Sequence, residues 1–292
     1  MSDPQTFESY RPLLFSIAYR MLGCAMEAED MVQEAYLRFE HAQGVQSAKP
    51  YLTTIITRLC LDHLKSAKTQ REIYVGTWLP EPILTAESPG IIADQHESIS
   101  MAFLVLLENL SPIERAIFLL RDVFDYPYAE IAPMVDKSEA NCRRYYQRAK
   151  QFLAERRPRF EPSSAEQNQL AERFLQAITT GDLENLTHML AEDATIYGDG
   201  GGKAMALWQP LVGREAVARF LILGISRLLP AATRIELAEI NGTPSALFWG
   251  QDTLYFVMNL AIADNKIEAI RDILNPDKLT YIRQQYRQRP RN

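Results

Sequence analysis

Asn141, Arg143, Arg144, Gln147 and Arg148 crowd into one short stretch of chain. These are residue types that read DNA. Asn and Gln pair with adenine and Arg with guanine through two hydrogen bonds, and neighbouring basic groups hold phosphates. Cys142, Tyr145 or Tyr146, Ala149 and Phe152 recur among them at helical spacing, giving an inward stripe that leaves the five polar residues facing out. The recognition helix of a helix-turn-helix needs that division. A lone basic run is usually a solvated helix face, but here there are two. Lys49, Arg58, Lys65, Lys68 and Arg71 stand against Asp62 alone, and Arg156, Arg157 and Arg159 extend the first run. From Glu27 to Glu40 the sign reverses, with Glu29, Asp30 and Glu34 against Arg38. A net charge of −6 hides this distribution, which points to two polyanion contacts and a separate protein-facing patch.

Other chemistry finds little support. Cys24, Cys60 and Cys142 are far apart, which argues against a disulfide framework or a zinc knuckle and fits a reducing cytosol. No metal or cofactor is expected. The N-terminus lacks a basic segment followed by an apolar run, and no apolar stretch approaches the ~20 residues that span a bilayer, so a cytoplasmic protein without a membrane partner is expected. Asp199-Gly-Gly-Gly-Lys203 fails the phosphate-loop pattern, because no Ser or Thr follows the lysine.

Helical periodicity covers residues 7–40, interrupted at Gly23, and residues 51–66, where Leu52, Ile55, Ile56 and Leu59 form an apolar stripe. Prolines and glycines break the pattern over 71–98, a linker carrying Trp78-Leu79-Pro80-Glu81-Pro82. Exposed groups as large as Trp78 and Leu79 tend to dock. Ser111-Pro112-Ile113-Glu114 is a helix start with a capping box. A short helix over 128–135, a turn at Asp136-Lys137 and a longer helix over 138–155 complete a helix-turn-helix, with Pro133 predicting that the first helix is distorted or ends early. Helices over 166–190, broken at Gly181-Asp182, lead to strands at 194–198, 233–240, 245–250, 253–262 and 266–274, with a helix at 213–229 between them. That order predicts an α+β domain with an antiparallel sheet.

Phe7-Glu8-Ser9-Tyr10, the run from Glu29 to Arg38 and the helix over 51–66 resemble region 2 of extracytoplasmic-function sigma factors, and residues 111–153 resemble region 4. Residues 166–292 look like a SnoaL-like domain, a curved sheet wrapped by helices around a conical cavity. The motifs at 78–82, 199–203 and Asn275-Pro276-Asp277-Lys278-Leu279 resemble the marks of the subgroup in which that domain is fused to the sigma core. The implied fold is multidomain: two all-α modules, a region 2 helical bundle (1–70) and a region 4 helix-turn-helix (99–158), joined by the 71–98 linker and followed by an α+β, cone-shaped SnoaL-like domain (159–292).

The resemblance implies roles residue by residue. Asp30, Gln33 and Glu34 match the segment docking on the β′ clamp helices of core RNA polymerase. Arg58, Asp62 and Lys65 match the surface that reads the −10 element, and Asn141, Arg143, Arg144, Gln147 and Arg148 the one that reads the −35 element of promoter DNA. Trp78, Leu79 and Pro80, with Asp199, Lys203, Asn275, Pro276, Asp277 and Lys278, are implied to form regulatory contacts. The chain is expected to be a monomer when free and not an enzyme. Enzymes of the SnoaL-like fold use an Asp or His as a base, and Asp199, His188, Asp252 and Trp208 are candidates to line a cavity holding an unidentified small-molecule ligand. No pair of titratable residues is spaced for catalysis. The competing classes are a helix-turn-helix repressor or activator with a ligand-sensing domain, and a SnoaL-like enzyme fused to a DNA-binding module.

Overall fold

The computed structural model describes residues 3–72, 74–85, 99–155, 165–228 and 233–288; Arg156, Arg157 and Arg159 lie outside the described residues. The chain divides into two compact units. One comprises Met1–Ile73 with Ser88–Pro158, the other Tyr74–Glu87 with Arg159–Asn292.

In the first unit, α1 (Pro4–Leu22) starts where the Asp3 carboxylate accepts from the amides of Gln5 and Thr6 at 3.1 Å each. Its stop is Gly23, whose φ of 68° suits a left-handed cap. Helices α2 (Ala25–Glu40) and α3 (Ala48–Glu72) pack on it through Phe7, Leu14, Val32, Phe39, Leu52 and Ile56, all buried. After α4 (Met101–Leu107), helix α5 (Pro112–Phe118) opens with the capping box that Ser111 and Glu114 predict. It runs into a π-helical turn (Leu119–Val123) that periodicity does not signal. Helix α6 (Tyr128–Met134) ends one residue after Pro133, and α7 (Glu139–Ala154) follows, capped by Ser138. The buried stripe of α7 is Cys142, Tyr146, Ala149 and Leu153. Tyr146 therefore takes the place left open between two tyrosines, and Leu153 replaces Phe152, which is half-buried. Tyr146 stacks on Phe118 of α5 with ring centroids 6.1 Å apart.

The second unit begins with α8 (Ala165–Thr180) and α9 (Leu183–Met189), separated at Gly181. Strands β1 (Leu190–Asp199), β2 (Leu211–Val212), β3 (Thr233–Ile240), β4 (Thr243–Gly250), β5 (Thr253–Ala263) and β6 (Lys266–Ile273) form one sheet in the order β2-β1-β6-β5-β4-β3. The expected all-antiparallel sheet needs correction, because β1 and β6 run parallel. Strand β2, helix α10 (Arg214–Leu228) and strands β3–β5 lie between these two strands in sequence, so the chain returns to β1 by a crossover rather than a hairpin. Phe174, Leu186, Leu221, Phe248, Met258 and Ile270 are among the buried residues packing α8–α10 against one face. A 3₁₀ turn (Pro276–Leu279) and α11 (Thr280–Gln288) end the described chain.

Candidate functional site

Helix α7 turns its polar residues outward. Arg143, Arg144, Gln147 and Arg148 are exposed and Asn141 is half-buried beside the Ser138 cap. Arg143 is held loosely, 2.9 Å from Glu139 and 5.0 Å from the Tyr128 ring centre. An exposed pair one helical turn apart contributes only a few tenths of a kcal/mol, so the guanidinium is easily released to a new partner.

On α2, Asp30 and Gln33 are exposed, while Glu34 is half-buried and pairs with Arg38 at 2.8 Å. Leu37 lies one turn beyond Gln33 and is 51% exposed, adding an apolar contact to the acidic patch that charge patterning alone does not show. On α3, Asp62 and Lys65 form an exposed pair at 2.8 Å. Arg58 behaves differently. Its Nη2 donates to the Pro133 carbonyl at 2.7 Å and its Nε to the Met134 carbonyl at 3.1 Å. The residue expected to face the −10 DNA is thus engaged by the end of α6. His63, also on α3, is half-buried 3.2 Å from the Glu27 carboxylate.

The three motifs expected to be regulatory meet within the second unit, on the sheet face away from α8–α10. The Asp199 carboxylate is fully buried at the end of β1. It accepts from the Leu79 amide at 2.8 Å, the Tyr74 hydroxyl at 2.5 Å and the Lys278 ammonium at 2.7 Å. The Asp199 carbonyl accepts from the amides of Leu274 and Asn275, both at 2.8 Å. Lys278 also donates to the Leu79 carbonyl and lies 4.3 Å from the Trp78 ring centre and 4.8 Å from that of Tyr74. Leu79 and Pro80 are buried and Trp78 is half-buried. Asn275 caps the 3₁₀ turn through the Asp277 amide at 3.1 Å and donates to the Tyr74 hydroxyl at 2.9 Å. Pro276 occupies the first position of that turn, where no amide bond is lost, and remains exposed. Lys203 and Asp277 pair at the surface.

The glycines of 199–203 follow from this crowding. A Cβ on Gly201, whose φ is +55°, would stand 2.2 Å from Asn275 Nδ2, and one on Gly200 would stand 2.2 Å from the Ala204 carbonyl oxygen. Tyr74 was not singled out by any motif. Burial and the Asp199 carboxylate together push its phenol well above the ordinary tyrosine range.

A second anchor lies four residues along the linker. Leu84 bridges Ile240 at the edge strand β3. The Ile83 amide donates to Asn241 Oδ1 at 3.1 Å, the Leu84 amide to Gln285 Oε1 at 2.9 Å and the Thr85 amide to the Glu239 carbonyl at 3.2 Å. This is β-augmentation by a single short segment.

The four residues considered as cavity lining do not converge, which corrects that expectation. Asp199 faces the linker, Asp252 sits exposed in the β4–β5 turn, and His188 is exposed at the end of α9. Trp208 is 76% exposed beside a hollow of about 290 Å³ that also involves Gly198, Gly200, Gly202 and Met205. On the helix-covered face the phenyl rings of Phe248 and Phe256 stack 4.0 Å apart. The titratable group found there is one that no motif marked. Asp272 of β6 is 9% exposed, lies in register between Gly198 and Met258, and shares a face with Ile270. Its Oδ1 has no hydrogen-bond partner, and burial pushes the carboxyl up to about 8.

Comparison with known proteins defines the class. Residues 6–70 match the Sigma-70 region 2 family and residues 100–153 match Sigma-70, region 4. The chain is 36% identical over 288 residues to the ECF RNA polymerase sigma factor SigJ of Mycobacterium tuberculosis, covering 94% of this chain and 92% of that one. It is 29% identical over 282 residues to the probable ECF RNA polymerase sigma factor SigI of the same species, covering 95% and 94%. The crystal structure of M. tuberculosis extracytoplasmic function sigma factor SigJ superposes with a TM-score of 0.77 at 33% identity, over 95% of this chain and 98% of that one. The chain belongs to the ECF RNA polymerase sigma factor family, with two helical sigma modules followed by a SnoaL-like α+β domain.

Proposed function

We propose that this chain binds core RNA polymerase, recognises the −35 and −10 elements and initiates transcription in the bacterial cytoplasm, under control of its own C-terminal domain. The observation that carries the reading is α7, whose Arg143, Arg144, Gln147 and Arg148 project from a helix anchored by a buried apolar stripe. Asn141, at its first turn, joins them in reading the −35 element. Residues 1–70 serve as region 2, with Asp30, Gln33, Glu34 and the exposed Leu37 meeting the β′ clamp helices, and Arg58, Asp62 and Lys65 meeting −10 DNA. Residues 99–158 serve as region 4.

Run-off transcription with core polymerase tests this directly. Promoter-dependent initiation is expected; binding to DNA without initiation would favour a repressor or activator. Arg143, Arg144 and Arg148 changed together to Ala should abolish detectable binding to a −35 duplex, each lost base contact costing on the order of 1–3 kcal/mol. Retained binding would remove α7 from the −35 role.

The linker 71–98 and the domain 159–292 supply the regulation. Trp78, Leu79 and Pro80, held by Asp199 and Lys278, with Asn275 bonded to the neighbouring Tyr74 and the exposed Lys203–Asp277 pair and Pro276 alongside, fix the linker between regions 2 and 4. Trp78→Ala should therefore change promoter output in a reporter assay while the protein keeps its wild-type circular dichroism. Unchanged output would remove the linker contact from regulation. An unidentified small-molecule ligand in the SnoaL-like cavity and a monomeric free state belong to the same reading.

A further inference from the structure

We propose that Arg271 anchors a binding site for a small oxyanion, a carboxylate or phosphate group, beneath the linker on the sheet face away from α8–α10. Alternation along β6 puts Arg271 on that face, because its neighbour Ile270 packs into the helix-covered core. The guanidinium is a cation without an anion. Arg271 is 9% exposed, and its Nη1 is buried with no hydrogen-bond partner among the described residues. The centre of the Tyr197 ring lies 5.6 Å from its Cζ. Strand register shows why no carboxylate reaches it. Tyr197 and Asn259 flank Arg271 on β1 and β5, and Ala269 and Ile273 precede and follow it on the same face. Asn259 is neutral, and its Nδ2 is spent on oxygens of Ile240, Thr243 and Ser245. Asp199 stands diagonal to Arg271, but its carboxylate is taken by Lys278, the Leu79 amide and the Tyr74 hydroxyl. Glu81, the buried acid of the linker, has a partner of its own. Burial pulls the pKa of Arg271 below the ordinary arginine value, and the opposing influence is the Tyr197 phenol, not a carboxylate.

A buried guanidinium stays charged, and leaving it unpaired is strongly unfavourable, so such a group marks a place where an ion belongs. An oxyanion meets both needs of the fork. It neutralises the charge and accepts two parallel hydrogen bonds. The small exposed fraction admits the carboxylate or phosphate end of a small molecule, not the broad surface of a macromolecule. The linker crosses the same strand. Its Leu79 amide is fixed to Asp199 of β1 and its Leu84 bridges Ile240 of β3, while β6, β5 and β4 lie between those strands in the sheet. Residues 80–83 therefore pass over the face that carries Arg271. Closing the linker over an unpaired cation carries a penalty that a bound anion removes, so occupancy favours the docked linker. The site lies on the opposite face of the sheet from the helix-covered core. Its regulatory consequence rests on the linker role proposed above; the binding itself does not.

Sodium acetate and, separately, inorganic phosphate are the probes, added to the full chain at an ionic strength held constant with sodium chloride. All three tryptophans, Trp78, Trp208 and Trp249, belong to the C-terminal unit, so tryptophan fluorescence follows its melting. One probe or both should raise that melting temperature saturably, by about 4–7 °C at roughly twenty times the half-saturating concentration. A larger rise with acetate assigns a carboxylate ligand, and a larger rise with phosphate a phosphate-bearing one. In nitrogen-15 spectra of the full chain, a single arginine Nε–H signal should shift with the same midpoint. Arg271→Met should melt no lower than wild type without a probe and should lose both responses. Arg271→Lys keeps the charge but not the fork, and should bind about tenfold more weakly. No saturable rise in wild type, or an equal rise in Arg271→Met, overturns the site. A Met variant that does not fold overturns it too, since the guanidinium would then already have a structural partner. With probe bound, the Leu79 amide should exchange more slowly; unchanged exchange would overturn the coupling to the linker. If binding and slowed exchange are found but Trp78→Ala leaves promoter output unchanged, the linker's regulatory role falls and the oxyanion site stands.

Discussion

Lys278→Met is expected to lower the stability of the C-terminal unit by about 3–5 kcal/mol, the range seen when one partner of a buried ion pair is removed. The size follows from what remains. Asp199 is fully buried, and its carboxylate would keep the Leu79 amide and the Tyr74 hydroxyl but lose its only cation among the described residues. Two neutral donors do not compensate a charge removed from water. The loss is not confined to Asp199. Lys278 also satisfies the Leu79 carbonyl and faces the rings of Trp78 and Tyr74, so the linker loses a hydrogen bond and two cation–π contacts together. Urea denaturation gives the magnitude. Amide hydrogen exchange locates it: the Leu79 amide should exchange much faster, while amides in the centre of β5 change only in step with global stability. A midpoint shift worth less than about 1 kcal/mol would mean that the ion pair does not hold the linker.

A companion substitution separates charge from packing. Asp199→Asn combined with Lys278→Met leaves no unpaired charge, so the double variant should lose less than the sum of the two single losses. Additive losses would argue that each side chain acts alone. Lys203→Ala, by contrast, breaks an exposed pair with Asp277 and should cost well under 1 kcal/mol. The three motifs therefore contribute unequally, although they are equally visible as patterns.

The helical part of the molecule was legible because its signals are local. Ser111 and Glu114 cap α5 through contacts three residues apart, and Gly23 and Gly181 stop helices by their own backbone freedom. The α7 stripe was legible from period alone, apart from the choice of Leu153 over Phe152. Where two large apolar residues are adjacent on a helix, periodicity cannot decide which one the neighbouring helix accepts.

The parallel β1–β6 pairing was not legible, since strand direction depends on where a crossover of many residues returns. Tyr74, Asn241 and Gln285 were missed for a related reason. Each meets its partner across a long sequence separation, and each is of a common type with no pattern around it. The capture of Arg58 by Pro133 and Met134 is another such case: a basic residue on a helix face looks the same whether it awaits DNA or already holds a carbonyl.

Asp272→Asn is expected to stabilise the C-terminal unit at alkaline pH, an unusual outcome for a core substitution. Burial pushes the carboxyl of Asp272 from the ordinary 3.8 up to about 8. The folded state therefore binds this proton more tightly than the unfolded state does. A group with a raised folded pKa contributes stability that is fully present below the unfolded value near 4 and is lost as pH climbs through about 8. Four pH units at about 1.4 kcal/mol each set an upper bound of roughly 5–6 kcal/mol on the loss in wild-type protein. Asparagine keeps the volume and removes the ionisation, so the variant should be nearly flat over that range. Urea midpoints at pH 4, 7 and 9 would check this, with the two proteins most alike at pH 4 and the variant ahead by several kcal/mol at pH 9. Parallel curves would mean that the carboxylate finds a solvated position. If they diverge instead, the protein carries a destabilising acid among Gly198, Met258 and Ile270, a price that a bound hydrogen-bond acceptor meeting the neutral carboxyl would offset.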